Sequence, residues 1–221
     1  MFIEMKLKTE LVIFDLDGTL IDAYQAVRQS VNYSLTKNGY SAVSHGVIKR
    51  KVGWGDRQLI SGLVDGKDLE STLKDYRRHH QRALKKYAKL LPGAKRILQR
   101  LKREGFQLAV ASNRPSLFSR PVLRQLKIAE YFDCVLCADQ VRHPKPHPEL
   151  LRTILKLLSR RRQEAVYVGD MIIDVLAGRR AGIKTVAVTT GSSFLSELSA
   201  AKPDFVIRRI SQLSDAFKTG S

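Results

Sequence analysis

Ten residues near the start of the chain constrain everything after them: Leu11-Val12-Ile13-Phe14-Asp15-Leu16-Asp17-Gly18-Thr19-Leu20, in which four apolar residues run straight into two carboxylates and a glycine. A short, wholly apolar run ending in a turn signal suits a strand covered on both faces, as in a parallel sheet. Ligands of such sheets bind beyond the carboxyl ends of the strands, where Asp15 and Asp17 are expected. Two carboxylates this close raise one another's pKa unless a cation neutralises them, and Mg²⁺ prefers carboxylate and carbonyl oxygens. Gly18 permits a sharp turn or a close backbone approach. Asp-x-Asp-Gly taken alone also fits an acidic loop at a helix start, because Asp is common in caps and turns.

Periodicity divides the rest of the chain in two. Asp22-Ala23-Tyr24 opens a helical stripe of Tyr24, Val27, Val31 and Leu35, with Asn38-Gly39 as its stop, and glycines 46, 53, 55 and 62 break the next stretch into short helices and a loop. Leu69, Leu73, Tyr76, His80, Leu84, Tyr87 and Leu91 follow at offsets of three and four, which predicts an amphipathic helix over Asp68 to Leu91. Residues 23–91 therefore read as an all-helical block without a strand signal, and His80 on its seam as a packed, partnered histidine. After Leu91-Pro92-Gly93 strands and helices alternate: strands at 107–111, 134–137, 165–168, 184–188 and 205–207, with helices between them and a terminal helix at 211–217. Such alternation predicts right-handed crossovers and an α/β, doubly wound (Rossmann-like) parallel sheet core. The expected organisation is an α/β core of residues 1–22 and 92–221, interrupted by an inserted all-helical domain of residues 23–91.

Bulk properties narrow the class further. A chain of 221 residues with 43% hydrophobic and 27% charged residues has an ordinary globular composition. No apolar run is long enough for a signal peptide or a membrane span, so a cytoplasmic location is expected. The net charge of +18 suits an anionic partner, but its basic runs (Arg77-Arg78, Arg160-Arg161-Arg162, Arg208-Arg209) lack interleaved aromatics, which argues against nucleic acid. Cys134 and Cys137 have the C-x-x-C spacing of redox or zinc sites. On a strand, however, an offset of three puts them on opposite faces, so they read as packing thiols.

Later strand ends carry further chemistry. Val110-Ala111-Ser112-Asn113 places a hydroxyl at the end of a strand, able to donate to an anion. His143-Pro144-Lys145-Pro146-His147-Pro148 holds a lysine on a proline-stiffened loop, a point charge suited to a phosphoryl oxygen. His143 and His147 read as loop residues rather than metal ligands, because no cysteine lies near. Val166-Tyr167-Val168-Gly169-Asp170 repeats the strand-to-acid theme, and Asp170 and Asp174 fall on the same side of a helix start, where capping is the simpler role.

Asp15-x-Asp17-Gly18-Thr19, Ser112, Lys145 and Gly169-Asp170-x-x-x-Asp174 together resemble, in order and spacing, the four motifs of the haloacid dehalogenase (HAD) superfamily. Leu91-Pro92-Gly93, Lys145 to Pro148 and Ala177 to Gly182 are similar to its phosphoglycolate phosphatase-like branch, in which a helical cap follows the first motif. The resemblance implies that Asp15 is the nucleophile and forms a phosphoaspartate, and that Asp17 protonates the leaving oxygen and later activates water. It implies Mg²⁺ held by Asp15, the Asp17 backbone carbonyl and Asp170, with Asp174 behind them. Ser112 and Lys145 would balance phosphoryl charge, with Thr19 and Asn113 also at the substrate and Arg50 and Trp54 in a specificity loop of the cap. Met171 departs from the branch, which usually has Thr or Ser there.

The expected activity is a Mg²⁺-dependent phosphatase of a small phosphorylated metabolite (phosphoglycolate-like, a sugar phosphate or a nucleotide), acting as a monomer or homodimer. An acid at position 17 argues against carbon–halogen cleavage, because relatives with that activity lack it. A phosphosugar mutase would need the same four motifs, although Thr19 favours hydrolysis over that branch. A non-catalytic basic binding module is the third reading.

Overall fold

The computed structural model describes residues 9–213. Strand β1 (Leu11–Phe14) leads through a tight turn to the two-residue strand β2 (Ile21–Asp22). Helices α1 (Tyr24–Lys37), α2 (His45–Lys51), α3 (Asp56–Ser61) and α4 (Leu69–Tyr87) follow, and the chain returns through β3 (Lys89–Leu90). The remainder alternates: α5 (Ala94–Arg103), β4 (Gln107–Ser112), α6 (Ser116–Gln125), β5 (Cys134–Cys137), α7 (Glu149–Leu157), β6 (Ala165–Gly169), α8 (Ile172–Ala181), β7 (Lys184–Val188), α9 (Leu195–Ala200) and β8 (Phe205–Ile207). Short 3-10 turns join several of these. No helix among the described residues is long and apolar enough to cross a membrane.

Six strands form one parallel sheet in the order β5-β4-β1-β6-β7-β8. The chain runs outward from β1 in one direction through β4 and β5, and in the other through β6, β7 and β8. The carboxyl end of β1 is thus the point where strand order reverses, the usual ligand position in a doubly wound sheet. Phe14 pairs with Val110 on one side and Val168 on the other, so the loops after β1, β4 and β6 emerge together.

Both faces of the sheet are buried, as the uninterrupted apolar strands require. Val12, Phe14, Leu108, Val110, Val166 and Val168 point to the face covered by α5 and α6, where Ile97, Leu98, Leu101, Phe118 and Val122 complete the core. Leu11, Ile13, Ala109, Ala111 and Tyr167 face the other way, against Leu150, Leu151 and Ile154 of α7 and Ala177 of α8. A third apolar cluster lies within the helices that follow β2, built from Val27, Val31 and Leu35 of α1, Leu73 and Tyr76 of α4, and Ile48, Leu59 and Ile60. Ala26, Ala83 and Leu84, on the same two long helices, join the sheet core instead.

Two departures from the sequence reading have local causes. The long helix stops at Tyr87, four residues before the expected end, and Ala88 is extended (φ −71°, ψ 135°). Pro92 disfavours a helical Leu91, and Lys89–Leu90 pair with Ile21–Asp22 as β3, a strand inside a block expected to contain none. The expected terminal helix at 211–217 falls largely outside the described residues, which hold a short 3-10 turn at Ile210–Gln212. His80 is packed as expected: it stacks on Tyr76, meets Phe118 edge-on and bonds Ser30, and burial holds its pKa well below 6.5. Cys134 and Cys137 are free thiols, the first half-buried and the second buried.

Ile13, fully buried at the centre of the second face, reports on that core. Ile13→Ala is expected to cost about 2–5 kcal/mol in urea unfolding with an unchanged m value, as for a cavity left in a close-packed core.

Candidate active site

Asp15 is the first residue past β1, fixed there because its N–H continues the ladder onto the Val168 carbonyl (2.9 Å). Its Oδ1 accepts a hydrogen bond from Lys145 Nζ (2.6 Å). The same ammonium donates to Asp174 Oδ1 (2.7 Å) at the start of α8 and to the Tyr167 hydroxyl (2.9 Å). Tyr167 in turn bonds Asp174 Oδ1 (2.8 Å). Burial alone would discharge such a lysine, but the two carboxylates outweigh it and hold its pKa above the usual value. Burial pushes Asp15 up to about 7, against the pull of Lys145. The lysine loop is itself clamped: the Asn113 side-chain amide donates to the Lys145 carbonyl and accepts from the Lys145 N–H, both at 2.9 Å.

Asp170, at the end of β6, stands beside this pair. Its Oδ1 accepts from the Thr19 hydroxyl (3.1 Å) and its Oδ2 from the Ser192 N–H (3.0 Å). Space around it is minimal: a Cβ at Gly18 or Gly191 would lie 2.5 Å or 1.6 Å from Asp170 Oδ2. Gly18 also has φ +83°, which disfavours other residues. Asp15, Asp170 and Asp174 present carboxylate oxygens within 4.8 Å of one another, all buried. Burial, and then the charges of Asp15 and Asp174, raise Asp170 well above the usual carboxylate range. Both oxygens of Asp174 are committed, Oδ1 to Lys145 and Tyr167 and Oδ2 to the Met171 N–H (3.0 Å).

Asp17, two residues beyond Asp15, is bonded by the Arg114 guanidinium. Burial raises its pKa and Arg114 opposes the rise. Arg114 is itself buried, and its Nη1 has no hydrogen-bond partner among the described residues. The Ser112 hydroxyl accepts from the Arg114 N–H (3.2 Å), which places it at the mouth of the same loop. A small cavity opens onto Asp15, Asp17, Ser112 and Arg114, and its far wall comes from Gly53, Tyr76 and His80 of the helical segment. Met171 reaches that wall: a Cβ at Gly53 would sit 2.0 Å from its Sδ, so the unusual methionine fills the space over a bare backbone.

Four residues expected at the substrate make these other contacts within the protein. Arg50 spends its guanidinium on Glu197 and the Ser192 carbonyl (3.1 Å) and lies over the Phe194 ring, tying α2 to the start of α9. Trp54 is exposed and lines a groove with Lys51 and Gln58 rather than the cavity over the carboxylates, which its neighbours Gly53 and Gly55 line. The Thr19 hydroxyl serves Asp170, and the Asn113 amide serves the lysine loop. Conversely, Arg114 and Tyr167 belong to the site and were not anticipated. Arg114 directly follows Ser112-Asn113, a signal diluted in a chain with 39 Lys and Arg.

A family model described as haloacid dehalogenase-like hydrolase matches residues 12–188. The chain is 32% identical to a protein named phosphoglycolate phosphatase from Aquifex aeolicus, over 92% of this chain and 94% of the relative. It is 30% identical to pyrophosphatase PpaX of Bacillus cereus, over 94% and 95% of the two chains. Among solved structures, a predicted phosphoglycolate phosphatase from Haemophilus somnus superposes with a TM-score of 0.89 at 22% identity, covering 95% of this chain and 98% of that one, a likeness of fold. A match running from the first strand of the sheet to β7, with relatives this similar along nearly their whole length, means that the chain belongs to the haloacid dehalogenase-like hydrolases and is a phosphatase of that family.

Proposed function

We propose that the chain is a Mg²⁺-dependent phosphatase of a small phosphomonoester that works through a phosphoaspartate on Asp15. The observation that carries this reading is the pairing of the two acids with different cations. Lys145 opposes the burial that favours a protonated Asp15 and so supports its ionised form for attack, while Arg114 pairs with Asp17, the separate proton carrier. In the first displacement an Asp15 carboxylate oxygen attacks phosphorus and Asp17 gives its proton to the leaving oxygen. In the second, Asp17 takes a proton from water as that water attacks the phosphoaspartate, which frees phosphate and restores Asp15. Lys145 and the Ser112 hydroxyl would balance charge on the equatorial phosphoryl oxygens. Relatives named for phosphoglycolate and for pyrophosphate hydrolysis support a small, strongly anionic substrate.

The buried charges fit a divalent cation. Among the described residues the four carboxyls of Asp15, Asp17, Asp170 and Asp174 have two cationic partners, Lys145 and Arg114, so full ionisation of the cluster leaves two negative charges for a cation to balance. Asp15, Asp170 and the Asp17 carbonyl would hold Mg²⁺, with Asp174, both oxygens committed, orienting Lys145 and the start of α8. The ion supplies charge neutralisation for the approach of an anionic phosphoryl group. Chelation is expected to abolish phosphate release and Mg²⁺ to restore it; full activity in excess chelator would remove the metal from the mechanism.

The nucleophile is tested by acid-quenched labelling with an aryl phosphate. Asp15→Asn is expected to take up no label and to fall to background turnover. Asp17→Asn keeps the nucleophile but loses a proton carrier worth about 10²- to 10⁴-fold, so labelled enzyme should accumulate as its second step slows. Wild-type labelling of Asp15→Asn would sink the mechanism.

We also propose that residues 23–91 form a lid over the sheet, with Arg50 as a latch rather than a substrate contact. A single exposed ion pair shifts a closed population only slightly, so Arg50→Ala should lower kcat/KM by less than about fivefold. A loss of about a hundredfold with phosphoglycolate or pyrophosphate would return Arg50 to the substrate.

A further inference from the structure

Outside the cavity, the loop between β5 and α7 carries a second group of potential metal ligands. His143 and His147 flank Lys145, which turns inward; both imidazoles stay on the outer surface beside Glu149, in the first turn of α7. His143 Nδ1 lies 2.9 Å from Glu149 Oε2, and His147 Nδ1 lies 3.8 Å from the same oxygen. One donor atom from each of the three residues lies within 4.8 Å of the other two. The rings, 4.7 Å apart between centroids and inclined at 44°, are tilted together rather than stacked.

The shorter separation is a hydrogen bond that an ion would replace, and small side-chain shifts would bring all three donors to the spacing of ligands around one ion. Tetrahedral ligands with bonds of about 2.0–2.1 Å lie roughly 3.3 Å apart, between the two measured values. Two imidazole nitrogens and one carboxylate form an established zinc donor set, and nitrogen donors favour the borderline transition metals over Mg²⁺. The carboxylate is already aimed. Its Oε1 accepts from the Arg142 N–H (3.0 Å) and its Oε2 from the His143 N–H (3.1 Å), and these bonds with His143 hold its pKa below the usual range.

The backbone is prepared as well. Pro144, Pro146 and Pro148 fix their own φ angles and restrict His143, Lys145 and His147 before them, so little backbone freedom remains to be lost on binding. A turn bond from the His147 N–H to the Pro144 carbonyl (3.0 Å) closes the loop between the two imidazoles. Ligation through Nδ1 requires each ring to carry its proton on Nε2, so His143 would exchange its hydrogen bond to Glu149 for the ion.

We propose that His143, His147 and Glu149 form a surface site for one divalent transition metal of the zinc class, separate from the buried aspartates, with its remaining position open to water. The site lies on the outer side of the loop that delivers Lys145, so an ion there would brace that loop from outside.

The test is calorimetric titration of the tag-free full chain with Zn²⁺ in excess Mg²⁺. A single tight equivalent is expected. His147→Ala and Glu149→Gln should each weaken it by more than about 100-fold, beyond the usual effect of losing a group behind the ligands. Asp170→Asn should leave it unchanged. Metal-free melting temperatures of wild type and His147→Ala should coincide, since that side chain is half exposed. No Zn²⁺ binding, binding unaffected by either loop variant, or binding lost in Asp170→Asn would overturn the site.

Discussion

One buried ammonium holds the parts of the site in register. Lys145 is almost without exposure, and burying a charge is costly unless good geometry and hydrogen bonds offset the lost solvation. Here three oxygens do so, one from the end of β1, one from β6 and one from the start of α8. Lys145 therefore fastens together segments that the sheet only brings near one another. Removing its charge would leave Asp15 and Asp174 facing Asp170 with less compensation in a buried setting. The Asn113 amide and the prolines around the lysine fix where the ammonium can be.

The acids and the lysine were legible in the sequence because each follows an apolar strand or sits between prolines, where a charge contrasts with its neighbours. Residues whose roles depend on distant partners were not. Thr19 is joined to Asp170 and Arg50 to Glu197 across most of the chain, and no local pattern encodes either pairing. Tyr167 was hidden differently. Within Val166-Tyr167-Val168 it reads as a core aromatic, and its ring does pack in the core, while its hydroxyl alone reaches Asp174.

The sheet was read almost residue for residue, since period and composition agree along each strand. The misplaced end of α4 shows where periodicity misleads. Leu91 continues the helical spacing by coincidence, and the restriction imposed by Pro92, together with pairing to β2, overrides it. Met171 is a comparable case. By sequence it departs from a Thr or Ser that could hydrogen-bond there, whereas in the fold Asp174 accepts the Met171 N–H and the thioether packs over Gly53.

The pairing of β2 with β3 has a mechanical consequence. The helical segment enters and leaves by connections that are not independent, because Ile21 pairs with Leu90, Asp22 with Lys89, and the Leu91 N–H donates to the Leu20 carbonyl (2.9 Å). Two linkers zipped into one ribbon resist sliding past each other, since shear would break the bonds between them, but they still bend as a unit. For the proposed lid, such a strap would favour one direction of travel, like a door rather than a weight on two loose strings. Each swing would return Gly53, Tyr76 and His80 to the same place above the carboxylates, so repeatability is set by the strap itself.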